Sequence, residues 1–374
     1  MATRNPKEQE AELEALLSLT LARGIGTLTI RRLLEEHGSA RAALQALPRG
    51  ESGRTGAESV FSPALGERVR QVRKAARAAG MGILGWGLPP YPTRLAVLAD
   101  APPVLFARGD PSLLEAPALV ALVGTRTPTP YGREAAQRLS AGLAALGVVV
   151  VSGLARGIDS HAHRAALKAG GTTAAVLAGG LDRLYPPESI PLAEEIARRG
   201  VLLSEMPPGQ VPKPGLFPRR NRILSGISDL VVVVEAAEKS GALITAQWAL
   251  DQGREVAAVP GSIFSPVSRG PFLLIRDGAA PVDSVEAVLE LLPGGKAAGR
   301  GTPGEKDASP PAGGRPALTA AEKAFLEALA RTGGDPEEAA RLAGIPPEDA
   351  LALGVALEMK GRARSVGQGL LFPT

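Results

Sequence analysis

Short runs combining glycine, arginine and hydroxyl side chains recur through the middle of this sequence. They are Gly124-Thr-Arg126, Tyr131-Gly-Arg133, Ser152-Gly153-Leu-Ala-Arg156-Gly157-Ile-Asp159, Gly179-Gly180 followed by Asp182 to Tyr185-Pro186, Phe217-Pro-Arg219-Arg220-Asn221-Arg222, Lys239-Ser240-Gly241-Ala-Leu-Ile-Thr245 and Pro260-Gly261-Ser262. The chemistry they suit is anion binding. Glycine lets backbone N–H groups approach an anion, a helix start adds partial positive charge, and arginine offers a bidentate contact to phosphate. Any one run is equally well explained as turn chemistry; several converging on one sheet edge point to an anionic ligand. Tyr131, Tyr185 and Phe217 sit beside these runs, and an aromatic ring next to a phosphate-binding arginine is a way to hold single-stranded nucleic acid. The plainer reading is that the rings only wedge loops in place.

Catalytic patterns are weaker. No G-x-G-x-x-G follows the first central strand and no P-loop occurs, which speaks against nicotinamide chemistry and a Walker ATPase. Nor is there a G-x-S-x-G. Asp159 and His163, four apart at a helix start, have the spacing of an acid–base pair, but a structural Asp cap with a neighbouring His is the commoner outcome. His161 and His163 fall on different helix faces and so do not share a metal. The chain has no cysteine and three histidines, which leaves no thiol chemistry and no Cys-bearing metal site. No catalytic residue, metal or cofactor is expected.

The elements that must position these loops follow from hydrophobic pattern. Between 118 and 292, apolar runs at Leu119–Val123, Val148–Val151, Thr173–Leu177, Val201–Leu203, Leu230–Val234 and Val256–Val259 alternate with helical patterns. Runs such as VVVV are apolar on both faces, as a parallel sheet covered on both sides requires. A doubly wound, mainly parallel α/β sheet is predicted, with ligands outside the carboxyl ends of its strands.

Ahead of it, residues 10–47 read as short helices around a Gly24-Ile25-Gly26 turn. A further helix at 64–79 sets Arg70, Arg73, Lys74 and Arg77 on one face. Residues 293–316 are a Gly/Pro-rich linker. From 317 to 374, a Thr319/Glu322 capping box, three helices and a hairpin around Gly367-Gln-Gly369 make a winged-helix plan. Its third helix carries Glu348, Asp349 and Glu358 against Lys360, so a packing or protein-contact role is expected there rather than groove binding. The predicted divisions are 1–63, 64–292, 293–316 and 317–374.

The charge balance is 42 Lys plus Arg against 38 Asp plus Glu. The surplus lies in the first 110 residues, and residues 111–290 carry equal numbers of each sign. Any polyanion site in the middle must therefore be a local cluster. No run is long and apolar enough for a membrane span, and the start MATRNPKEQEAELEALL has no signal-peptide core, so a cytoplasmic protein is the default expectation.

Taken together, Tyr91-Pro92, Pro102-Pro103-Val-Leu-Phe-Ala-Arg-Gly109, Val123-Gly-Thr-Arg126, Ser152 to Asp159, Phe217 to Arg222, Lys239 to Ala246 and Pro260-Gly261 resemble the DNA-processing protein A family (DprA, also called Smf). The motifs run in family order across about residues 90–280 and are specific as a set. The resemblance implies an extended Rossmann-like domain, a small N-terminal helical domain of the SAM or helix-hairpin-helix kind and a C-terminal winged helix. It further implies a cytoplasmic single-stranded-DNA-binding protein of natural transformation and recombination. Such a protein forms a homodimer through the α/β domain, loads the recombinase RecA past single-strand-binding protein, and has no established enzymatic activity. Arg126 is the first DNA contact so implied, and the Ser152–Arg156 loop and Arg219–Arg222, with Asn221, would line the same groove. The expected DNA-binding set is Gly124, Arg126, Ser152, Gly153, Arg156, Gly179, Gly180, Tyr185, Phe217, Arg219, Arg220, Asn221, Arg222, Ser240, Gly241 and Thr245. One departure stands out. Where many members read Tyr-Pro-Lys-x-Asn, this chain has Tyr185-Pro186-Pro187-Glu188-Ser189, so the arginine loops carry more of the binding. The rival readings are a nucleotide-hydrolysing relative of the α/β phosphoribohydrolases, whose P-G-G-x-G-T-x-x-E motif is missing here, and a duplex-DNA regulator acting through the winged helix.

Overall fold

The computed structural model describes residues 5–47 and 61–293. In the C-terminal region it describes 318–332, 335–346, 362–366 and 370–373, with positions 350, 353, 354 and 357. The chain divides into two compact units, Met1–Gly301 and Thr302–Thr374.

The first unit opens with helices α1 (Pro6–Leu21), α2 (Thr27–His37), α3 (Ala40–Ala46) and α4 (Pro63–Ala78). Asn5 and Glu8 form a capping box at the start of α1. Gly38 ends α2 in the left-handed conformation at φ +75°, where a side chain would be strained. The buried Glu12 carboxylate on α1 accepts the Ala40 and Arg41 N–H groups, so it satisfies the open start of α3 and ties the two helices together.

Two strands that the sequence pattern does not reveal come next: β1 (Gly82–Gly85) and, after the short α5 (Thr93–Ala96), β2 (Val104–Gly109). The doubly wound part follows as β3 (Leu119–Val123), α6 (Pro130–Ala145), β4 (Val149–Ser152), α7 (Ile158–Lys168), β5 (Thr173–Leu177), α8 (Ile190–Arg199) and β6 (Val201–Ser204). It continues with α9 (Leu216–Gly226), β7 (Leu230–Val233), α10 (Gly241–Asp251), β8 (Glu255–Ala258), α11 (Arg269–Arg276), β9 (Ala280–Pro281) and α12 (Val285–Glu290). The nine strands form one sheet in the order β1-β2-β6-β5-β4-β3-β7-β8-β9. β3 to β9 are parallel, and β2 adds antiparallel to β6 and β1 to β2. From β3 the chain winds outward through β4, β5 and β6, then returns to β7 on the other side of β3. That reversal leaves a crevice above β3 and β7, where open α/β sheets take ligands.

Successive residues of each strand feed opposite layers. Leu119, Ala121 and Val123 of β3 pack with Ile223 and Leu224 of α9 and Ala246 of α10. Val120 and Leu122 pack with Leu139 and Leu143 of α6 and Ala162 of α7. Leu16, Leu17 and Leu19 of α1 share a third cluster with Phe106 of β2, Leu177 of β5 and Ile196 of α8. Packing is thus continuous across the expected division at residue 63, because the N-terminal helices cover sheet surface that would otherwise face water. The expected Gly/Pro-rich linker at 293–316 lies outside the described residues, apart from Pro293.

In the second unit, α13 (Ala320–Arg331) begins with the anticipated Thr319/Glu322 capping box, and α14 (Pro336–Leu342) is capped by Asp335. β10 (Ala363–Val366) pairs antiparallel with β11 (Leu370–Pro373). Phe325, Leu329, Ala339 and Leu357 are buried together. Most of the expected third helix, and the 367–369 turn, lie outside the described residues.

Candidate nucleic-acid interface

A cleft of about 720 Å³ lies outside the carboxyl ends of β3 and β7. One wall is the loop after β3. Thr125 donates its N–H to Glu235 O at 2.6 Å, and Ile158 N–H donates to Thr125 O at 3.2 Å. A Cβ on Gly124 would stand 2.8 Å from Glu235 O, so only glycine lets the loops after β3 and β7 meet this closely. Pinned on both sides, this loop presents the exposed Arg126. Its guanidinium lies 5.7 Å from the centre of the Phe217 ring, and no carboxylate pairs with it among the described residues.

The Glu235 carboxylate accepts Thr129 N–H at 2.9 Å and Thr129 Oγ1–H at 2.5 Å. Thr129 in turn caps α6. Glu235 is therefore a buried brace for the Arg126 loop.

The opposite wall is aromatic and proline-rich. Tyr185 and Phe217 meet edge to face with centres 6.2 Å apart, and Pro212 and Pro214 line the cleft beside them. At the start of α10, Ser240 caps the helix by accepting Ala242 N–H at 3.2 Å, and Ser240, Gly241 and Thr245 all line the cleft. A cation, two ring edges and a helix start thus face one space. That set accommodates a phosphate joined to a flat base.

The floor is different from what the motifs suggest. Residues 217–222 are not a loop but the first half of α9. Arg220 is buried, with Nη1 donating to Gly153 O at 2.9 Å and also to Val176 O, and Nε donating to Asn221 Oδ1 at 3.0 Å. Burial pulls its pKa down to about 10, against the opposing pull of the Asp159 carboxylate. Asp159 Oδ2 accepts the Gly153 and Ala155 N–H groups at 3.0 and 3.3 Å. Burial pushes its carboxyl up, and Arg220 and these N–H donors oppose that shift. So the Gly153 N–H is already engaged, and its missing side chain makes room for the Arg220 guanidinium, not for phosphate. Asn221 reaches from α9 to Gly241 O at 3.3 Å and lines the cleft with Arg220.

Other expected residues stand away from the cleft. Arg222, 7% exposed at its side chain, donates to Glu205 Oε1 at 2.7 Å and Asp100 O at 2.5 Å. Arg219 pairs bidentately with the same Glu205 at 3.1 and 2.9 Å. Arg156 pairs with Glu188, and that contact lowers the Glu188 pKa. Ser152 is buried and donates to Leu122 O at 2.6 Å. Gly179 O accepts Ser204 Oγ–H at 2.7 Å and Gly180 N–H donates to Gln210 O at 2.8 Å. These glycines seat the 205–214 segment that carries the two prolines. That segment was the missed feature, and its sequence signal was the length and proline spacing of EMPPGQVPKPG.

Asp159 and His163 do not pair. His163 Nδ1 lies 2.7 Å from Thr173 Oγ1, and its Nε2 has no hydrogen-bond partner among the described residues. Burial, with help from Arg220 and Arg164, lowers its pKa to about 3.

Comparison with known proteins agrees with this architecture. The family model described as DNA recombination-mediator protein A matches residues 83–293, over half of the chain, and a model described as a DprA-like N-terminal HHH domain matches residues 10–71. DNA processing protein DprA of Bacillus subtilis strain 168 is 46% identical over 226 residues, which is 60% of this chain and 76% of that protein. The X-ray structure of DNA processing protein A from Streptococcus pneumoniae superposes with a TM-score of 0.62 at 36% identity, covering 74% of this chain and 96% of the other. A structure of DNA processing protein A from Helicobacter pylori, described for its single-stranded-DNA binding mode, gives 0.51 at 32% identity over 56% of this chain and 93% of that one.

Proposed function

As the chain belongs to the DNA recombination-mediator protein A family, we propose that it binds single-stranded DNA in the cleft above β3 and β7 and serves transformation and recombination. The observation that carries this is Arg126, an exposed guanidinium with no carboxylate partner among the described residues, beside Phe217 in a cleft whose walls suit a base and a phosphate. Gly124, Arg126, Tyr185, Phe217, Asn221, Ser240, Gly241 and Thr245 touch the strand. Ser152, Gly153, Gly179, Gly180, Arg220 and Arg222 position those that do. Arg156 and Arg219 meet phosphate with part of their charge already answered by Glu188 and Glu205.

The protein acts by binding without turnover and hands the strand to RecA in the presence of single-strand-binding protein, which places it in the cytoplasm. A homodimer forms through the α/β layers. Exposed Ile263 and Phe264, just ahead of α11, support this as an apolar contact.

The test is a titration with single- and double-stranded oligonucleotides at two salt concentrations. Single strands bind more tightly, and Arg126→Ala weakens them and lowers the salt slope by about 0.7 log units, one phosphate contact. Unchanged affinity and slope would sink the assignment. Nucleotide hydrolysis above background would revive the phosphoribohydrolase reading.

A further inference from the structure

Two helices that follow the cleft's strands carry a second cluster of positive charge. Arg133 and Gln137 lie four apart on α6, and His161, Arg164 and Lys168 lie at three- and four-residue steps on α7. Each set therefore shares one face of its helix. The two faces meet: Gln137 Nε2 is 3.1 Å from His161 Nδ1, and both Arg133 and Arg164 act electrostatically on His161. Arg133, Arg164 and Lys168 are exposed, and none of them pairs with a carboxylate among the described residues.

The contrast with α4 is informative. Two of the four cations on its basic face are compensated, Arg70 by Glu67 and Arg73 by Glu10 and Glu14. On the α6/α7 stripe no cation has such compensation among the described residues, and two guanidiniums act on one imidazole without a carboxylate partner. Its upper end begins at the cleft, because Arg133 and His161 lie in the first turns of α6 and α7, just past the loops of Arg126 and Arg156. From His161 to Lys168 it runs about 10 Å down α7.

We infer that this stripe is a second phosphate-binding track, on which the sugar–phosphate backbone of a single strand continues after leaving the cleft. The inference rests on the cleft reading above and extends it from one or two nucleotides to a path. The track has no aromatic wall, so it holds the backbone without engaging bases. It adds affinity only to strands long enough to reach it.

Strand length is therefore the measurement. Oligothymidylates of about 6 and about 30 nucleotides, one near the short end of the roughly 4–16-nucleotide site sizes of single-strand binders and one well beyond them, are titrated against the full chain and against R133A/R164A. The short strand binds both proteins alike. The long strand binds the double variant about tenfold more weakly, with a salt slope lower by about 1.4, two phosphate contacts. R133K/R164K restores the slope. The His161 imidazole, held below its ordinary pKa by burial and by the two guanidiniums, titrates at higher pH when the long strand is bound and not when the short one is.

Equal affinity of parent and double variant for the long strand would overturn the track. So would equal weakening at both lengths, which would show that the substitutions act through the cleft. A stripe built for an acidic protein surface would instead bind polyglutamate in an R133A/R164A-sensitive way, with long-strand affinity unchanged. If the parent binds neither length, the cleft reading itself is what fails, and the track goes with it.

Discussion

Single side chains in this site do unlike jobs despite like chemistry. Of the arginines in the family motifs, Arg126 faces the cleft with no carboxylate partner among the described residues, Arg220 lies beneath it holding strand-end carbonyls, and Arg222 faces away into Glu205. Arg220 and Arg222 are two residues apart on a helix, some 200° of rotation, so they could not share a surface once the segment was helical. His163 gives the residue scale its cleanest test. Folded, its imidazole titrates near 3 against an ordinary 6.5. As pH falls from about 6.5 towards 3, the unfolded chain takes up a proton that the folded protein refuses. Stability therefore drops by up to about 1.4 kcal/mol per pH unit over that window. Urea denaturation at pH 7, 6 and 5 should show this slope, and His163→Gln should flatten it. A variant with the parent's slope would mean that the imidazole is not held neutral.

At the scale of elements, the loops after β3 and β7 were legible because Gly-Thr-Arg and Ser-Gly-x-x-x-Thr stand at strand-to-helix junctions, where spacing alone places them. The 217–222 segment reads as a loop in the sequence because Phe-Pro looks like a turn. Proline is tolerated in a helix's first turn, where its missing N–H has no intrahelical partner to lose, and α9 starts at Leu216. β1 and β2 leave no clear signal because they precede the strand–helix alternation, are bounded by proline and glycine, and add antiparallel to the sheet. The ion pairs of Arg156 and Arg219 had no signal at all, since their carboxylates come from other elements. Glu235 binds the start of α6 to the end of β7. Glu235→Ala leaves the Thr129 N–H and hydroxyl unanswered in a partly buried place, at a cost of about 1–3 kcal/mol. It should lower the thermal midpoint and weaken single-strand binding together, because the Arg126 loop loses its brace. A variant that keeps both properties would show that the brace is dispensable.

Across the whole molecule, the cleft, the α6/α7 stripe and three of the four apolar clusters belong to the first unit. Removing residues 317–374 should therefore leave single-strand affinity within about threefold of the parent, under 1 kcal/mol. A large loss would give the second unit a share of the DNA. The balanced charge of the middle segment also takes on a meaning that composition could not supply. Arg156 rests on Glu188, and Arg219 on Glu205. For either to bring its whole charge to a phosphate it must let go of a carboxylate, so the event exchanges one anion for another instead of neutralising a bare charge. Ions freed from the strand are then offset by ions recruited to the abandoned glutamate. A salt titration of this protein will count fewer contacts than the number of arginines that touch DNA, and the shortfall measures how many glutamates were displaced.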